Sequence, residues 1–169
     1  MADDLTQLSS LTEEGVTLCL RERLLLDKPY TSAGPCLIAV NPCQPLPSLY
    51  SMERLRAYLD LGHPDLAPHC YGTAAQVCRG VQQGSSQAVV ISGESGAGKT
   101  ETAKRVLQVL SVGLLGSGSA AAIESALTDT VPLLEVFGNA RTVHNPNSSR
   151  HGKFVVLRFH EPSALASVH

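Results

Sequence analysis

Residues 93–100 form the stretch Gly-Glu-Ser-Gly-Ala-Gly-Lys-Thr. It matches the pattern G-x-x-x-x-G-K-[ST] at every fixed position. The apolar residues 88–91, shortly before it, predict a short buried strand at 88–92. After it, apolar residues recur at helical spacing, at Ala103, Val106, Leu107 and Leu110. The motif therefore lies between a predicted strand and a predicted amphipathic helix, which is the context that it requires.

Small residues at these positions let backbone N–H groups turn inward around an anion, and the start of the following helix adds its positive dipole end. We call this segment the phosphate loop; it comprises Gly93, Glu94, Ser95, Gly96, Ala97, Gly98, Lys99 and Thr100. Lys99 is expected to contact the β- and γ-phosphates of a nucleotide, and the Thr100 hydroxyl to bind Mg²⁺. The alternative is a glycine turn between strand and helix that binds nothing.

Composition limits the classes of protein to consider. With 169 residues, 43% of them hydrophobic, the chain is at most one domain with a core. A formal net charge of −2 gives no basic field for general nucleic-acid binding. The N-terminus lacks the features of a signal peptide, and no apolar run approaches membrane-spanning length. We therefore expect a soluble intracellular chain with no nucleic-acid partner and no membrane span.

Cysteine and histidine give no sign of a metal or catalytic site. The five cysteines form no C-x-x-C pair and have no histidine at ligand spacing, so neither a zinc site nor a disulfide framework is predicted. The six histidines are scattered, and we assign none of them to catalysis.

Hydrophobic periodicity and breaker residues predict the elements on both sides of the phosphate loop. Strands are predicted at 36–40, 88–92 and 154–159. Helices are predicted within 3–26, starting at Ser10 or Thr12, and at 51–61, 74–81, 121–128 and 130–138. Residues 28–35 are predicted to be a turn-rich connector, 41–50 a rigid proline loop, 113–120 a flexible surface loop, and 145–150 a polar loop.

Three segments together resemble the myosin motor head: LIAVNPCQPLPSLYS at 37–51, GESGAGKTETAKRVLQVL at 93–110, and EVFGNARTVHNPNSSRHGKFVVLRF at 135–159. The opening resembles unconventional myosins that lack the small N-terminal β-barrel, and the myosin class is left open. The resemblance implies an α/β fold, a partial P-loop NTPase whose central sheet lacks several strands. It places residues 1–159 in the N-terminal part of a motor domain and leaves 160–169 as a divergent tail.

The resemblance also implies roles for individual residues. Residues 145–153 would be switch I, in which Ser149 is the second protein ligand of Mg²⁺. Asn145 and Ser148 would contact the phosphates or position the attacking water. Arg150 would lie near the γ-phosphate and pair with a glutamate of switch II. Catalytic roles therefore fall on Lys99, Asn145, Ser148 and Arg150, and the implied cofactors are ATP and Mg²⁺.

Further nucleotide contacts follow from the same resemblance. Asn41, Pro42 and Tyr50 match the stretch that lies against the adenine, and the phosphate-binding segment extends to Glu101. Residues 116–120 would form a surface loop that influences ADP release. Two departures fall in switch I, where Pro146 replaces a polar residue and His151 replaces an apolar anchor, usually Phe.

No segment resembles switch II, the converter, a lever with calmodulin-binding repeats or the actin-binding cleft. We therefore expect the ATP-binding N-terminal portion of a motor whose full-length parent binds actin filaments in the cytoplasm, and we expect this portion alone to be inactive. Calmodulin-type light chains are not predicted to bind it. One alternative is a truncated or degenerate product that acts through partners. The other is a small self-contained P-loop kinase, which would need an arginine-bearing lid and an acceptor site.

Overall fold

The computed structural model describes residues 2–61, 66–143, 145–160 and 164–168. Within this part, the helices are α1 Glu13–Leu25, α2 Met52–Leu61, α3 Cys70–Gln82 and α4 Lys99–Gly138. The strands are β1 Tyr30–Ala33, β2 Cys36–Ala39, β3 Asn139–Ala140, β4 Ser148–Ser149, β5 Leu157–His160 and β6 Ala164–Val168. The chain divides into two units, residues 1–73 and 74–169.

Helix α1 of the first unit begins where its capping residue predicts. The Thr12 hydroxyl accepts a hydrogen bond from the Gly15 N–H at 3.1 Å, which satisfies one of the free donors at the helix start. Glu13 and Glu14 occupy the first turn, where the helix dipole favours negative charge. The prediction of a helix starting at Ser10 or Thr12 is confirmed, with Thr12 as the cap.

A β-hairpin follows α1, and it corrects one prediction. β1 and β2 pair antiparallel, with Tyr30 opposite Ala39 and Ala33 opposite Cys36, so the predicted strand at 36–40 is confirmed. The connector predicted at 28–35 is wrong for residues 30–33, which form β1. Gly34, at φ +58°, and Pro35 form the two-residue turn between the strands. A turn this short pairs Tyr30 and Thr31 of β1 directly with residues of β2.

Arg23 on α1 joins three parts of this unit, and its side chain is almost fully buried, at 1% exposed. Its Nε and Nη2 donate to the carbonyl of Tyr30 at 3.2 and 2.7 Å. Its Nη1 donates to the carbonyl of Ala2 at 3.1 Å and also pairs with the Asp3 carboxylate. A single guanidinium therefore holds the N-terminal segment and β1 on α1, using the fixed fork of donors that arginine provides.

The core of the first unit is aromatic. All four tyrosines of the chain surround His69, with ring centroids 4.4–5.6 Å away: Tyr30, Tyr50, Tyr58 and Tyr71. The Tyr30 and Tyr50 hydroxyls lie 3.0 Å apart. Burial raises the pKa of Tyr30 and of Tyr58, so both phenols stay protonated within the core. The predicted helix at 51–61 is confirmed as α2, which contributes Leu55 and Tyr58 to this core.

The second unit is built on the packing of α3 against α4. Cys78 of α3 lies on α4, with its Sγ 3.9 Å from the Val109 carbonyl, and both residues are buried. Val106, Leu110 and Leu114 complete the buried face of α4 at helical spacing. The predicted helix at 74–81 is confirmed and extends one turn earlier. Burial raises the pKa of the Cys78 thiol to about 11, so this cysteine behaves as a small hydrophobic residue.

Helix α4 contradicts the prediction of a loop at 113–120 followed by two separate helices. Its 40 residues are continuous from Lys99 to Gly138, with Pro132 inside the helix. Leu114 is 3% exposed, so packing extends the helix past Gly113. A glycine costs a helix only about 1 kcal/mol, which tertiary packing readily offsets. The implied surface loop at 116–120 is likewise helical in its backbone.

The central sheet implied by the resemblance is not seen in the described residues, which instead form three two-stranded antiparallel sheets. The predicted strand at 88–92 is wrong: its backbone has no ladder partner there, and Val90 is 89% exposed. The third predicted strand forms only over its second half, as β5 paired with β6. A parallel strand needs neighbours distant in sequence, whereas each sheet here joins neighbouring segments.

Candidate functional site

The phosphate loop has the backbone that its glycines allow. Gly96 has φ +86° and Gly98 has φ +92°, both in the left-handed region that other residues rarely adopt. The Ala97 N–H donates to the Glu94 carbonyl at 3.2 Å and closes a tight turn. Gly98 caps α4, whose first residue is Lys99. The predicted order of glycine loop and helix start is confirmed, and the positive end of the α4 dipole lies at the loop.

Lys99 folds back over the loop that precedes it. Its Nζ donates to the Gly93 carbonyl at 2.6 Å and to the Glu94 carbonyl at 2.7 Å. The ammonium group therefore lies at the loop itself, within reach of an anion held by the loop N–H groups. Glu101, which the resemblance added to the site, pairs instead with Lys104 at 2.8 Å on the exposed side of α4.

Residues 145–151 of the predicted switch I segment belong to a hairpin formed by the described residues 138–143 and 145–151, which we call the 138–151 hairpin. Its ladder places Asn139 opposite Ser149 and Ala140 opposite Ser148. Near the tip, Thr142 and Asn145 exchange backbone and hydroxyl hydrogen bonds of 2.9–3.1 Å. The predicted polar loop at 145–150 is therefore only partly a loop, because it includes β4.

Three polar side chains join the phosphate loop to this hairpin, and we call Ser95, Asn145 and Ser148 the Ser95 junction. The Ser95 and Ser148 hydroxyl oxygens lie 2.6 Å apart. Asn145 Nδ2 donates to the Ser95 hydroxyl at 3.2 Å. Ser148 is fully buried, so its hydroxyl depends on this contact. The structure brings together the phosphate loop, predicted from its motif, and the switch I segment, implied by the resemblance.

The connecting role of Ser95 was missed by reasoning from the sequence, which treated it only as a small loop residue. Its partner is 53 residues away, and the sequence pattern does not show which segment faces it.

The remaining predicted switch I residues lie beside the junction. Ser149 pairs with Asn139 in the hairpin ladder. The Arg150 N–H donates to the Gly138 carbonyl at 2.9 Å, and its side chain is exposed. Among the described residues, the Arg150 guanidinium makes no ion pair, and Pro146 lies exposed near the hairpin tip.

The predicted adenine-binding residues belong to the first unit. The Asn41 side chain accepts a hydrogen bond from the Cys43 N–H at 2.9 Å, which holds the backbone turn after Pro42. Tyr50 lies in the aromatic core, where its carbonyl accepts a hydrogen bond from the Tyr71 hydroxyl at 3.2 Å. Contact between these residues and an adenine ring stays a prediction.

The chemistry of the donor set decides which metal fits. The predicted ligands Thr100 and Ser149 are neutral hydroxyls, and the described residues contain no cluster of three or more His, Cys, Asp or Glu that would hold a metal. Such a set suits Mg²⁺, which retains waters and is carried mainly by the phosphates of a nucleotide. It does not suit a metal that needs soft or charged ligands.

Comparison with known proteins agrees with the sequence motifs. The family model for the myosin head (motor domain) matches residues 2–169. Myosin-7 of Arabidopsis thaliana is 43% identical over 166 residues, which is 97% of this chain and 10% of that protein. Protein OPAQUE1 of Zea mays is 44% identical over 160 residues, which is 93% of this chain and again 10% of that protein. The chain thus spans about a tenth of the length of these relatives. No helix in the described ranges has the length and apolarity needed to cross a membrane.

Proposed function

This chain belongs to the myosin head (motor domain) family, and we propose that it is the Mg-ATP-binding N-terminal portion of an actin-based motor. The observation that carries the proposal is the Ser95 junction, in which the phosphate loop and the 138–151 hairpin meet through hydrogen bonds of 2.6 and 3.2 Å. The alternative, a glycine turn that binds nothing, does not predict hydrogen bonds between this loop and a second polar segment.

Binding begins with the anion. The loop N–H groups and the start of α4 would hold the phosphates, and the Lys99 ammonium would exchange two carbonyl acceptors for phosphate oxygens. This exchange is favourable because a hydrogen bond between two charged groups is stronger than one to a neutral carbonyl. Mg²⁺ would neutralise part of the phosphate charge when bound, with Thr100 and Ser149 as its protein ligands.

In the full-length parent, Asn145 and Ser148 would orient water at the end of the phosphate chain. Their hydroxyl and amide groups already converge on one point, the Ser95 hydroxyl. Arg150 would stabilise the developing negative charge once a partner carboxylate holds its guanidinium in place. Binding to actin filaments and a place in the cytoskeleton would belong to the parent.

A second candidate is a non-catalytic product that acts through partners. The observation that favours it is the exposed Arg150 side chain, which makes no ion pair in the described part of the chain. A small self-contained kinase is set aside, because the family is shown over residues 2–169.

Titration of a fluorescent ATP analogue tests the proposal, with and without Mg²⁺, against the wild-type chain, Lys99→Ala and Lys104→Ala. Both lysines lie near the start of α4, but within the described part of the chain the ion-pair partner of Lys104 is Glu101, on the exposed side of the helix. We expect Lys99→Ala to weaken binding tenfold or more, by about 1.5–3 kcal/mol, and Lys104→Ala to bind like the wild type. Equal binding by all three proteins, or no binding by the wild type, would reject the proposal.

A further inference from the structure

Two donors on neighbouring residues converge on one carbonyl at the open end of the 138–151 hairpin. The Gly138 carbonyl oxygen lies 2.9 Å from the Arg150 backbone nitrogen and 3.1 Å from His151 Nδ1. Gly138 is the last residue of α4, so its carbonyl has no acceptor role within the helix. A carbonyl oxygen has two lone pairs and can accept both hydrogen bonds at once.

The position of the His151 ring shows why residue 138 is a glycine. The imidazole fills the space in which the Cβ of any other residue at position 138 would stand. Because a carbonyl only accepts, the imidazole must carry its proton on Nδ1. The contact therefore fixes both the position of the ring and its tautomer, although His151 is exposed to solvent.

We propose that His151 is a positioning residue of switch I, which fixes the base of the 138–151 hairpin to the end of α4. The residues on both sides of Arg150 are then held in place, Ser149 by its ladder partner Asn139 and His151 by its contact with Gly138. Farther along the same hairpin, Ser148 in the ladder and Asn145 near the tip both contact Ser95. A fixed base limits how far these two residues can move away from the phosphate loop.

The effect of His151 on nucleotide release rests on the proposed function, but the contact itself can be measured without nucleotide. Amide hydrogen exchange at Arg150 is compared in the full 169-residue wild-type chain and in His151→Ala, His151→Phe and His151→Asn. Asparagine places its Nδ2 close to the position of the histidine Nδ1, whereas phenylalanine keeps only the ring. The amide of Val109, buried in α4, reports whether each variant keeps its fold.

We expect exchange at Arg150 to be about fivefold faster in the alanine and phenylalanine variants and close to wild type in the asparagine variant. The ¹⁵N spectrum of the wild type at pH 8.5 should show the His151 ring protonated on Nδ1. Unchanged exchange in His151→Ala, or rescue by phenylalanine and not by asparagine, would overturn the proposal.

Gly138→Ala provides an independent test, because helix propensity and loss of the His151 contact predict opposite changes in exchange at Arg150. Alanine stabilises a helix relative to glycine, so a purely local effect would slow exchange at Arg150. We expect faster exchange, because the new methyl group displaces the imidazole, and no further effect of His151→Ala in the double variant. Additive effects, or slower exchange in Gly138→Ala, would contradict the contact.

Release of a labelled ADP by the same variants separates the two proposals. If Arg150 exchange responds as expected but wild-type chain binds no nucleotide, the proposed function fails and the positioning role stands. If nucleotide binds but release and exchange are the same in all variants, the positioning role fails and the proposed function stands.

Discussion

The hydroxyl oxygens of Ser95 and Ser148 lie 2.6 Å apart, although 53 residues separate them along the chain. Ser148 is buried, so its hydroxyl would lose a partner if Ser95 were removed. This pair makes the relation between the phosphate loop and the hairpin measurable with conservative substitutions.

We expect Ser95→Ala and Ser148→Ala to be coupled. Each single substitution leaves one hydroxyl without this partner, whereas the double substitution removes both, so the effects on unfolding free energy should differ from additivity by about 1 kcal/mol. Urea unfolding of the two single variants and the double variant measures the coupling, with the exposed Ser85→Ala as the control. Strict additivity would show that the contact contributes nothing.

We expect the isolated chain to release phosphate from ATP no faster than background. The Arg150 guanidinium has no carboxylate partner among the described residues, so charge developing in the transition state would be poorly stabilised. Phosphate release is measured with and without actin filaments, and Arg150→Ala should match the wild type in both. Actin-stimulated turnover that Arg150→Ala abolishes would contradict this expectation.

Arg23 provides a prediction about stability. Arg23→Ala leaves the Tyr30 carbonyl and the N-terminal segment without their donor, which should cost about 2–3 kcal/mol. The exposed Arg21→Ala on the same helix should change little. Thermal unfolding of both variants gives the comparison. An equal loss of stability in the two variants would mean that the buried contacts of Arg23 do not contribute to the free energy of unfolding.

Cys78 predicts how stability changes at alkaline pH. Its pKa is about 11 in the folded chain, above that of an unfolded thiol, so the protonated form contributes stability that is complete below about pH 8.5 and is lost as the pH rises to about 11. Between pH 8 and 10 the urea midpoint should fall less in Cys78→Ala than in a Cys43→Ala control, whose thiol is exposed. Equal falls would exclude this contribution. The buried Tyr30 and Tyr58 also have raised pKa values, so they too lower the stability as the pH rises. Both tyrosines are present in the two variants and therefore do not affect the comparison.

The elements that could be predicted are those whose signals are local. Thr12 caps α1 with its own hydroxyl. The glycines of the phosphate loop adopt positive φ angles without help from residues distant in the sequence. The strand predicted at 88–92 failed because a ladder depends on a partner strand, which a short run of apolar residues does not identify. The Ser95 junction could not be predicted for the same reason. His151 was expected only to remove an apolar anchor from switch I. In the structure it instead makes a hydrogen bond to Gly138.

The continuity of α4 has a geometric consequence. A straight helix of 40 residues would be about 60 Å long, yet the phosphate loop before α4 touches the hairpin that follows it. The helix axis must therefore curve or kink strongly enough to bring its two ends near each other. The contact between Ser95 and Ser148 then closes a loop of the chain that contains the whole of α4. The bend in α4 determines the effective concentration of the hairpin at the phosphate loop. Any change of length inside α4 would alter that concentration without touching a single residue of the site.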